Sequence, residues 1–425
     1  MAMANPPKAK SKKDFIDETQ NLYNIYSTNR DNWSRQAKED KEFRLGRQWT
    51  KEQEDILNAR GQAPIVINRI HPAVEAAKAM LTSNRPSFRC APREDSDNKV
   101  AQVLSALLAY MYDISDGVTV VRQVVDDYYT MGLGYINVYQ DPMMDMGIHD
   151  IDPMDVYVDP NCRSRFFDDA ENVLVSRMFT KEQAVKMYPM YEKAIRNASS
   201  DQRWDEVSTG RSTDNFSVQF PEDVKNVTEQ EYIRGYERYF KVMVDRYRVY
   251  EAFSGKEDLL DADKFKLYMK QPAWILNGDK VLTDEAQVQA LAKQMQMELA
   301  VQRAQQAQQA TAQGQDPNTI LNADPPELPI EQVTFAELAN RKLIEVVEVS
   351  VKRVKMCVMM GDAYLYSRIL PTEHYPIVPF MNIHTRTPYP TSDVRMVKGI
   401  QEFINKTRSL IVAHATTSTN VKILV

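Results

Sequence analysis

Apolar residues recur at helical spacing over the first third of the chain. From Lys12 to about Arg60, Phe15, Leu22 and Ile25 fall on one side of a helical wheel, which predicts mostly helix. "GQAPIVINRIHP" then predicts a loop, a short apolar strand and the start of another helix. The same spacing, bounded by prolines and turn residues, predicts helices at 73–83, 97–114 and 118–131.

The period changes from helical to alternating at Gly132. "GLGYINVYQD" opens with turn glycines and alternates apolar and polar residues, which predicts a strand. Short strands separated by Asp-Pro turns follow, and a helix capped by Thr180 ends before Pro189. The polar stretch 198–226 lacks periodicity and predicts a loop. Aromatic and β-branched residues predict further strands at 232–253 and at 340–370, the latter turning at Gly361–Asp362.

Long helical patterns return in the last third of the chain. Residues 283–314 are rich in Ala, Gln, Met and Leu, and they predict a polar helix that bridges solvent or packs against copies of itself. "SDVRMVKGIQEFINKTRSLIVAHATT" (392–417) begins with a capping pair and is amphipathic. Helices and antiparallel strands in separate blocks predict an α+β fold. The apolar side of the last helix is predicted to face a core or a neighbour through Met396, Ile400, Phe403, Ile404, Thr407 and Ile411.

Composition narrows the class of protein. The 425 residues suffice for two or three domains, and 43% apolar with 26% charged residues excludes global disorder. A net charge of −6 argues against a tight, sequence-independent grip on DNA, but not against a surface past which DNA slides. Cys90, Cys162 and Cys357 are widely separated, which excludes a disulfide scaffold or zinc ribbon and favours a reducing compartment.

Neither the first residues nor the apolar stretches predict a membrane segment. Residues 1–13 contain lysines without an apolar core and predict a flexible basic arm, solvated or touching nucleic acid. The most apolar stretch, Val103–Tyr112, is too short to span a bilayer. We therefore expect a soluble intracellular product.

Patterns that indicate catalysis are missing from the sequence. It contains no phosphate-binding Gly-x-x-x-x-Gly-Lys-[Ser/Thr] loop, and "GLG" at Gly132–Gly134 lacks the third glycine of a dinucleotide loop. We therefore expect no enzyme, no metal and no cofactor. The histidines lack metal-binding spacing and are expected to be structural: His71, His149, His374, His384 and His414.

One acidic stretch leaves an enzymatic alternative open. A two-metal nuclease needs several carboxylates converging on ions about 4 Å apart. Aspartates that cap turns are the simpler interpretation, because three of these residues directly precede proline. The stretch contains Asp141, Asp145, Asp150, Asp152, Asp155, Asp159, Asp168 and Asp169.

Several segments resemble phage portal proteins, particularly those of short-tailed phages. The resemblance begins with "IDPMDVYVDPNCRS", continues through "YERYFKVMVDRYRVY", "VEVSVKRVKMCVMMGDAYLY" and "HYPIVPF", and covers most of 60–425. It ends at "GIQEFINKTRSLIVAHA", where family members have a Gly/Asp-x-Gln…Asn-x-x-x-Ser helix. It implies the portal fold: a wing of helices and antiparallel strands, stem helices and a β-rich clip, assembled into a ring.

The resemblance also implies a role and partners. Family members are homo-dodecamers at one capsid vertex of the virion, assembled in the host cytoplasm. Double-stranded DNA passes through their channel without sequence specificity. The other expected partners are the terminase large subunit, which hydrolyses ATP, a head–tail adaptor, and the capsid and scaffolding proteins. A different head–tail adaptor or scaffold ring is the alternative within this class.

The resemblance divides the chain into functional segments. It implies a wing or body at 14–282, a polar helix and proline-rich connector at 283–339 that leads towards the stem, and clip strands at 340–390. A stem helix at 391–418 and the start of a tunnel-side element at 419–425 follow. On the face of the stem helix opposite the apolar one, candidates for contact with channel DNA are Arg395, Lys398, Asn405 and Lys406. Candidates for partner docking at the clip are Lys352, Arg353, Lys355, Asp362 and Tyr364.

Overall fold

A computed structural model describes residues 12–92, 97–140, 146–199, 231–276, 280–312 and 330–418. The chain forms two compact units, one of residues 1–242 and 353–425 (unit 1) and one of residues 243–352 (unit 2). The two boundaries between these units, at 242/243 and 352/353, fall inside the long strands Tyr232–Glu251 and Ile344–Met360, and not at the segment boundaries expected from the sequence. Residues 1–11 of the arm predicted at 1–13, most of the loop at 198–226 and residues 419–425 lie outside the described residues. The last two residues predicted for the arm, Lys12 and Lys13, are the first residues of a helix.

The helices follow the predicted apolar periodicity closely. The predictions for 97–114 and 118–131, for example, correspond to helices at 98–114 and 117–131. Thr50, Thr180 and Thr334 begin three helices with reciprocal capping boxes, which satisfy backbone N–H groups in the first turn. The helices are α1 (Lys12–Arg44), α2 (Lys51–Ala59), α3 (Ile70–Thr82), α4 (Asn98–Ile114), α5 (Gly117–Met131), α6 (Lys181–Met187), α7 (Glu192–Asn197), α8 (Ala262–Met269), α9 (Glu285–Ala312), α10 (Phe335–Asn340) and α11 (Asp393–Ser418).

In the described residues the strands form three sheets with eight antiparallel strand pairs, as the α+β prediction requires. The strands are β1 (Leu133–Gln140), β2 (Met146–Ile151), β3 (Val156–Val158), β4 (Asn172–Thr180), β5 (Tyr232–Glu251), β6 (Glu257–Asp261), β7 (Pro272–Leu276), β8 (Lys280–Leu282), β9 (Ile330–Thr334), β10 (Ile344–Met360), β11 (Ala363–Ile369) and β12 (Ile377–Met381). The sheets have the orders β12-β1-β2, β11-β10-β5-β4-β3 with β6 added to β5, and β8-β7-β9.

The core of unit 1 lies between helix α1 and the strands. Tyr23 of α1 packs against Tyr157 and Tyr236, and Trp33 belongs to the largest buried cluster together with residues of β1, β3 and β12. Arg30, also on α1, is buried, and its guanidinium donates a hydrogen bond to the Val156 carbonyl at 2.7 Å. These contacts fix α1 as the scaffold on which α5 and α11 are positioned.

Unit 2 has its own small core. Ala273 and Ile275 of β7 are buried with Val333 of β9 and with Phe335 and Leu338 of α10. The predicted polar helix is present as α9, and it begins where the Asp284 carboxylate accepts a hydrogen bond from the Ala286 N–H. Its described side chains are mostly exposed.

The strand predicted within 61–72 is not formed: residues 62–69 belong to no sheet. The apolar run "IVI" favours an extended backbone, but the N–H groups of this segment are bonded to side chains of α11 instead of to a neighbouring strand. The segment thus takes part in the site described below.

No single helix in the described part of the chain is long and apolar enough to cross a membrane. Helices α4 and α5 pass that test only as a pair, and the pair is bent by 70°.

Candidate functional site on the last helix

Helix α11 begins at a buried cap. The Ser392 hydroxyl accepts a hydrogen bond from the Arg395 N–H at 3.0 Å and donates to the Asp40 carboxylate at 2.7 Å. Ser392 and Asp40 are both buried, and burial raises the pKa of Asp40 despite the opposing effect of Ser392 and Arg395. The capping pair seen in the sequence therefore also anchors α11 to α1.

The side of α11 that faces its own chain is polar. Ser409 accepts a hydrogen bond from the Ile65 N–H (3.1 Å), Asn405 from the Ile67 N–H (3.1 Å) and Gln401 from the Arg69 N–H (3.0 Å). Gln401, Asn405 and Ser409 are each no more than 2% exposed. We call these three side chains the inner ladder.

The three hydrogen bonds of the inner ladder can form together because the spacing of side chains along α11 matches the spacing of N–H groups along the extended segment 65–69. Four residues of an α-helix advance about 6 Å, and two residues of an extended chain advance about 6.6 Å. Side chains four apart on α11 therefore meet every second N–H of the segment 65–69, which runs in the opposite direction. Side chains of α11 thus accept the hydrogen bonds that a neighbouring strand would otherwise accept from this extended segment.

Further hydrogen bonds complete the inner ladder. The Gln401 amide donates to the Ile67 carbonyl at 2.7 Å and to Asn405 at 2.9 Å. The Asn405 amide donates to the side chain of Gln48 at 2.6 Å. A buried polar group without partners is destabilising, so this set of bonds is what makes a polar inner face tolerable.

The opposite side of α11 is apolar and exposed. Ile400 is 66% and Phe403 69% exposed, although both sit in the middle of a helix of 26 residues. We call this side the outer stripe, which consists of Met396, Val397, Ile400, Phe403, Leu410 and Ile411. The sequence prediction that the apolar side faces a core is wrong for this chain, and its alternative, a neighbour, stays a prediction.

Two basic side chains next to the ladder are paired within the chain. Arg395 lies 2.9 Å from Glu39, and its Nε lies 3.0 Å from Asp40 Oδ1 without hydrogen-bond geometry. Lys398 also contacts Glu39. Burial alone would raise the pKa of Glu39, but the hydrogen bonds from Lys398 and Arg395 outweigh it and lower that pKa.

The predicted DNA contacts thus separate into different environments. Asn405 is 1% exposed and is committed to the inner ladder, so its predicted contact with DNA is wrong. Arg395 and Lys398 face carboxylates of α1. Lys406 is exposed and lies 3.9 Å from Glu402 one turn away.

The predicted docking residues lie on β10, on β11 and in the turn between them. Arg353 lies 3.9 Å from Glu373, Asp362 accepts a hydrogen bond from the Ser199 N–H at 3.0 Å, and the Tyr364 ring packs edge-on against Phe15. Lys352 is exposed and Lys355 is half-buried. Their role in docking stays a prediction.

Three aspartates of the acidic stretch have separate structural contacts. Asp152 caps a short turn by accepting from the Met154 N–H at 2.8 Å, and Asp155 pairs with Arg177 at 2.9 Å. Asp169 accepts bonds from the Cys162 thiol and two backbone N–H groups; burial opposes ionisation, but these bonds lower its pKa to about 2. Asp141 and Asp145 lie outside the described residues. In the described ranges, no three His, Cys, Asp or Glu side chains form a group that could hold a metal ion.

Sequence reasoning missed the structural role of Gln401 and Ser409. Both belong to the Gln…Asn-x-x-x-Ser pattern of the last helix, and the usable signal is its spacing. Three uncharged polar residues four positions apart lie on one side of a helix whose other side is apolar. Polar side chains at this spacing indicate that this side of the helix is buried against backbone groups of another segment, with which they form hydrogen bonds.

Comparison with known proteins identifies the family of the chain. The family model of the phage P22-like portal protein matches residues 20–271 and 318–425, which include α1 from residue 20 onward, the segment 65–69 and α11. The segment between the two matches contains β7, β8 and α9. No curated protein matches the chain significantly. Because the family model covers most of the sequence, the chain belongs to the phage P22-like portal protein family.

Proposed function

We propose that twelve copies of this phage portal protein form a ring at one capsid vertex, with a channel through which the genome is packaged and ejected. Family membership supports the portal role and a place in the virion. The ring is supported by one observation in particular: the outer stripe of α11 is exposed in the single chain while the polar side of the same helix is buried.

The outer stripe is too large to be an incidental surface feature. Its six residues expose roughly 700 Å² together, more than the ~300–600 Å² of the largest apolar patch on a typical monomer. Exposed patches of this size usually mark protein–protein contacts. In a ring the covering surface is supplied by the next copy.

Gly399 points to the same conclusion. A glycine inside a helix is less stable than alanine by roughly 0.5–1 kcal/mol. A Cβ added at Gly399 would meet nothing within 4 Å, so the chain itself does not require glycine there. Close approach of a second chain, beside Phe403, would require it.

Passage of DNA fits the charge distribution. The net charge is −6, and Arg395 and Lys398 are neutralised by contacts with α1. Each phosphate that a basic side chain neutralises adds salt-dependent affinity, so a conduit benefits from few such contacts. Lys406 remains our candidate for a channel contact, and Lys406→Ala should spare ring assembly while changing packaging or ejection.

Docking of the terminase large subunit and of a head–tail adaptor is assigned to the strands β10 and β11, on the resemblance alone. Scaffolding and capsid proteins are proposed to surround the ring during assembly in the host cytoplasm. No catalytic role is proposed, because Asp152, Asp155 and Asp169 of the acidic stretch are each held by a local turn or an ion pair.

Particle mass tests the ring. The wild-type chain should yield particles of about twelve copies with a central hole in negative-stain images. Ile400→Ser combined with Phe403→Ser should yield folded monomers, because the outer stripe is then no longer apolar. Ile56→Ser, at a similarly exposed position of α2, is the matched control and should leave the particles intact. A monomeric wild-type chain would contradict the proposal.

A further inference from the structure

Helix α4 presents a second exposed apolar face. Val103 is 67% exposed, and other large apolar residues follow at helical spacing over four turns. Phe88 extends this surface, since its ring packs on Tyr112 at 5.6 Å and is itself exposed. We call this surface the α4 face, which consists of Phe88, Val100, Val103, Leu104, Leu107, Leu108, Tyr110 and Ile114.

The α4 face is close in size to half of a stable interface. Its residues expose roughly 800 Å², similar to the ~800 Å² that one partner contributes to a standard protein–protein interface. The helix is nevertheless attached to its own chain, because the side that carries the buried residues Ala101 and Tyr112 packs inward.

The α4 face and the outer stripe of α11 match each other in length. On α4 the apolar residues extend from Val100 to Ile114, and on α11 from Met396 to Ile411. At 1.5 Å per residue these stretches are about 21 and 22 Å long. Two helices with apolar ridges of equal length can pack along their whole extent at an interaxial distance of about 8–10 Å.

The two faces are attached near opposite ends of one rigid element. At the start of α5, a Cβ on Gly117 would meet the Tyr112 ring of α4 at 2.3 Å. At the end of α5, a Cβ on Gly132 would meet the backbone of Thr391, next to the start of α11, at 2.7 Å. Helix α5 has 15 residues, which separates these two attachment points by about 22 Å.

A closed ring needs this kind of arrangement. Each subunit must offer two different, complementary surfaces to its two neighbours, because the contact is head-to-tail. We propose that the α4 face of each subunit packs on the outer stripe of α11 of the next subunit. The proposal rests on the proposed ring and adds which helices meet within it.

Disulfide trapping tests this contact directly. The background is the full chain with Cys90→Ser, because Cys162 and Cys357 are buried while Cys90 is half-exposed. Leu104→Cys and Phe403→Cys, near the middle of the two surfaces, are introduced together, and mild oxidation is followed by non-reducing electrophoresis. We expect a ladder of covalent multimers from the double variant only, with each single variant remaining at monomer size.

A position control distinguishes specific contact from random collision. Ile56→Cys combined with Phe403→Cys places a thiol at an equally exposed apolar site of α2, and it should give no ladder. Particle mass is measured on the same samples before oxidation. Rings without a ladder would overturn the α4–α11 contact and leave the proposed function standing, whereas absence of rings in the background chain would overturn the proposed function itself.

Two further results would also overturn the contact. A disulfide formed within one chain, visible as a monomer of altered mobility, would place another part of the same chain on these faces. Rings that persist in Leu104→Asp with Leu107→Asp would show that the α4 face is not buried by assembly. Circular dichroism of these variants verifies that they fold.

Discussion

Replacement of Asn405 by alanine tests the inner ladder most directly. The substitution removes three hydrogen bonds, to the Ile67 N–H, to Gln401 and to Gln48. Ile67 N–H and the Gln48 carbonyl oxygen then lose the partner that Asn405 provides, and a buried group left unpaired costs about 1–3 kcal/mol. We therefore expect the free energy of unfolding to fall by about 3 kcal/mol.

The control is Ile400→Ala on the same helix. In an ordinary amphipathic helix an isoleucine-to-alanine change in the core costs about 2–5 kcal/mol. Ile400 is instead exposed in the single chain, so its replacement should change the free energy of unfolding by no more than about 0.5 kcal/mol. We thus expect Asn405→Ala to lower the free energy of unfolding more than Ile400→Ala does, which is the reverse of what an ordinary amphipathic helix would show.

Thermal unfolding of the monomeric fraction, isolated by size-exclusion chromatography, measures both effects without the contribution of assembly. A loss of about 3 kcal/mol should lower Tm by roughly 3–4 °C in Asn405→Ala, because the unfolding entropy of a chain of 425 residues is large, while Ile400→Ala should stay near the wild type. The reasoning is refuted if Ile400→Ala lowers Tm more than Asn405→Ala does, because the apolar side of α11 would then be its buried side.

Other variants test separate parts of the structure. Gly399→Ala should stabilise the monomer by roughly 0.5–1 kcal/mol and weaken ring assembly, seen as a higher Tm with lower particle mass; unchanged rings would remove the argument from close approach. Burial alone would raise the pKa of Asp126, but hydrogen bonds from Arg44 and Lys78 outweigh it and lower that pKa. This carboxylate therefore stabilises the fold at neutral pH. Its contribution declines as the pH falls below about 4, the ordinary pKa of an aspartate, and is lost as the pH passes through the lowered pKa of the folded state. Asp126→Asn should therefore lower the free energy of unfolding by about 2 kcal/mol at pH 7, less than for a fully buried pair because the Asp126 side chain is 24% exposed. In urea titrations at pH 3 the difference from the wild type should shrink. A difference that does not depend on pH would contradict the ion-pair account. Asp152→Ala should lower stability by about 1 kcal/mol through loss of a turn cap, with no Mg²⁺-dependent DNA cleavage in either protein; cleavage by the wild type that the variant lacks would revive the nuclease alternative.

Local periodicity was sufficient to predict most helices and strands. The last helix, for example, was predicted at 392–417 and is found at 393–418. Helical and extended spacing depend on neighbours within four residues, so the sequence itself carries that information. The same pattern also separated the apolar from the polar side of α11, and the order of its segments carried the resemblance to portal proteins.

Which side of α11 faces its own chain was decided only by the tertiary structure. Periodicity shows that two sides differ, but not which partner each one meets. The partner of the inner ladder is the segment 65–69, more than 330 residues earlier in the chain. This segment is tied to the end of α1, because the Asn68 amide donates a hydrogen bond to the Arg44 carbonyl at 2.6 Å. That distant backbone offers N–H groups outside any sheet at a repeat that matches the helix. The polar side of α11 therefore turns inward, Asn405 is unavailable to DNA, and the apolar side is left exposed.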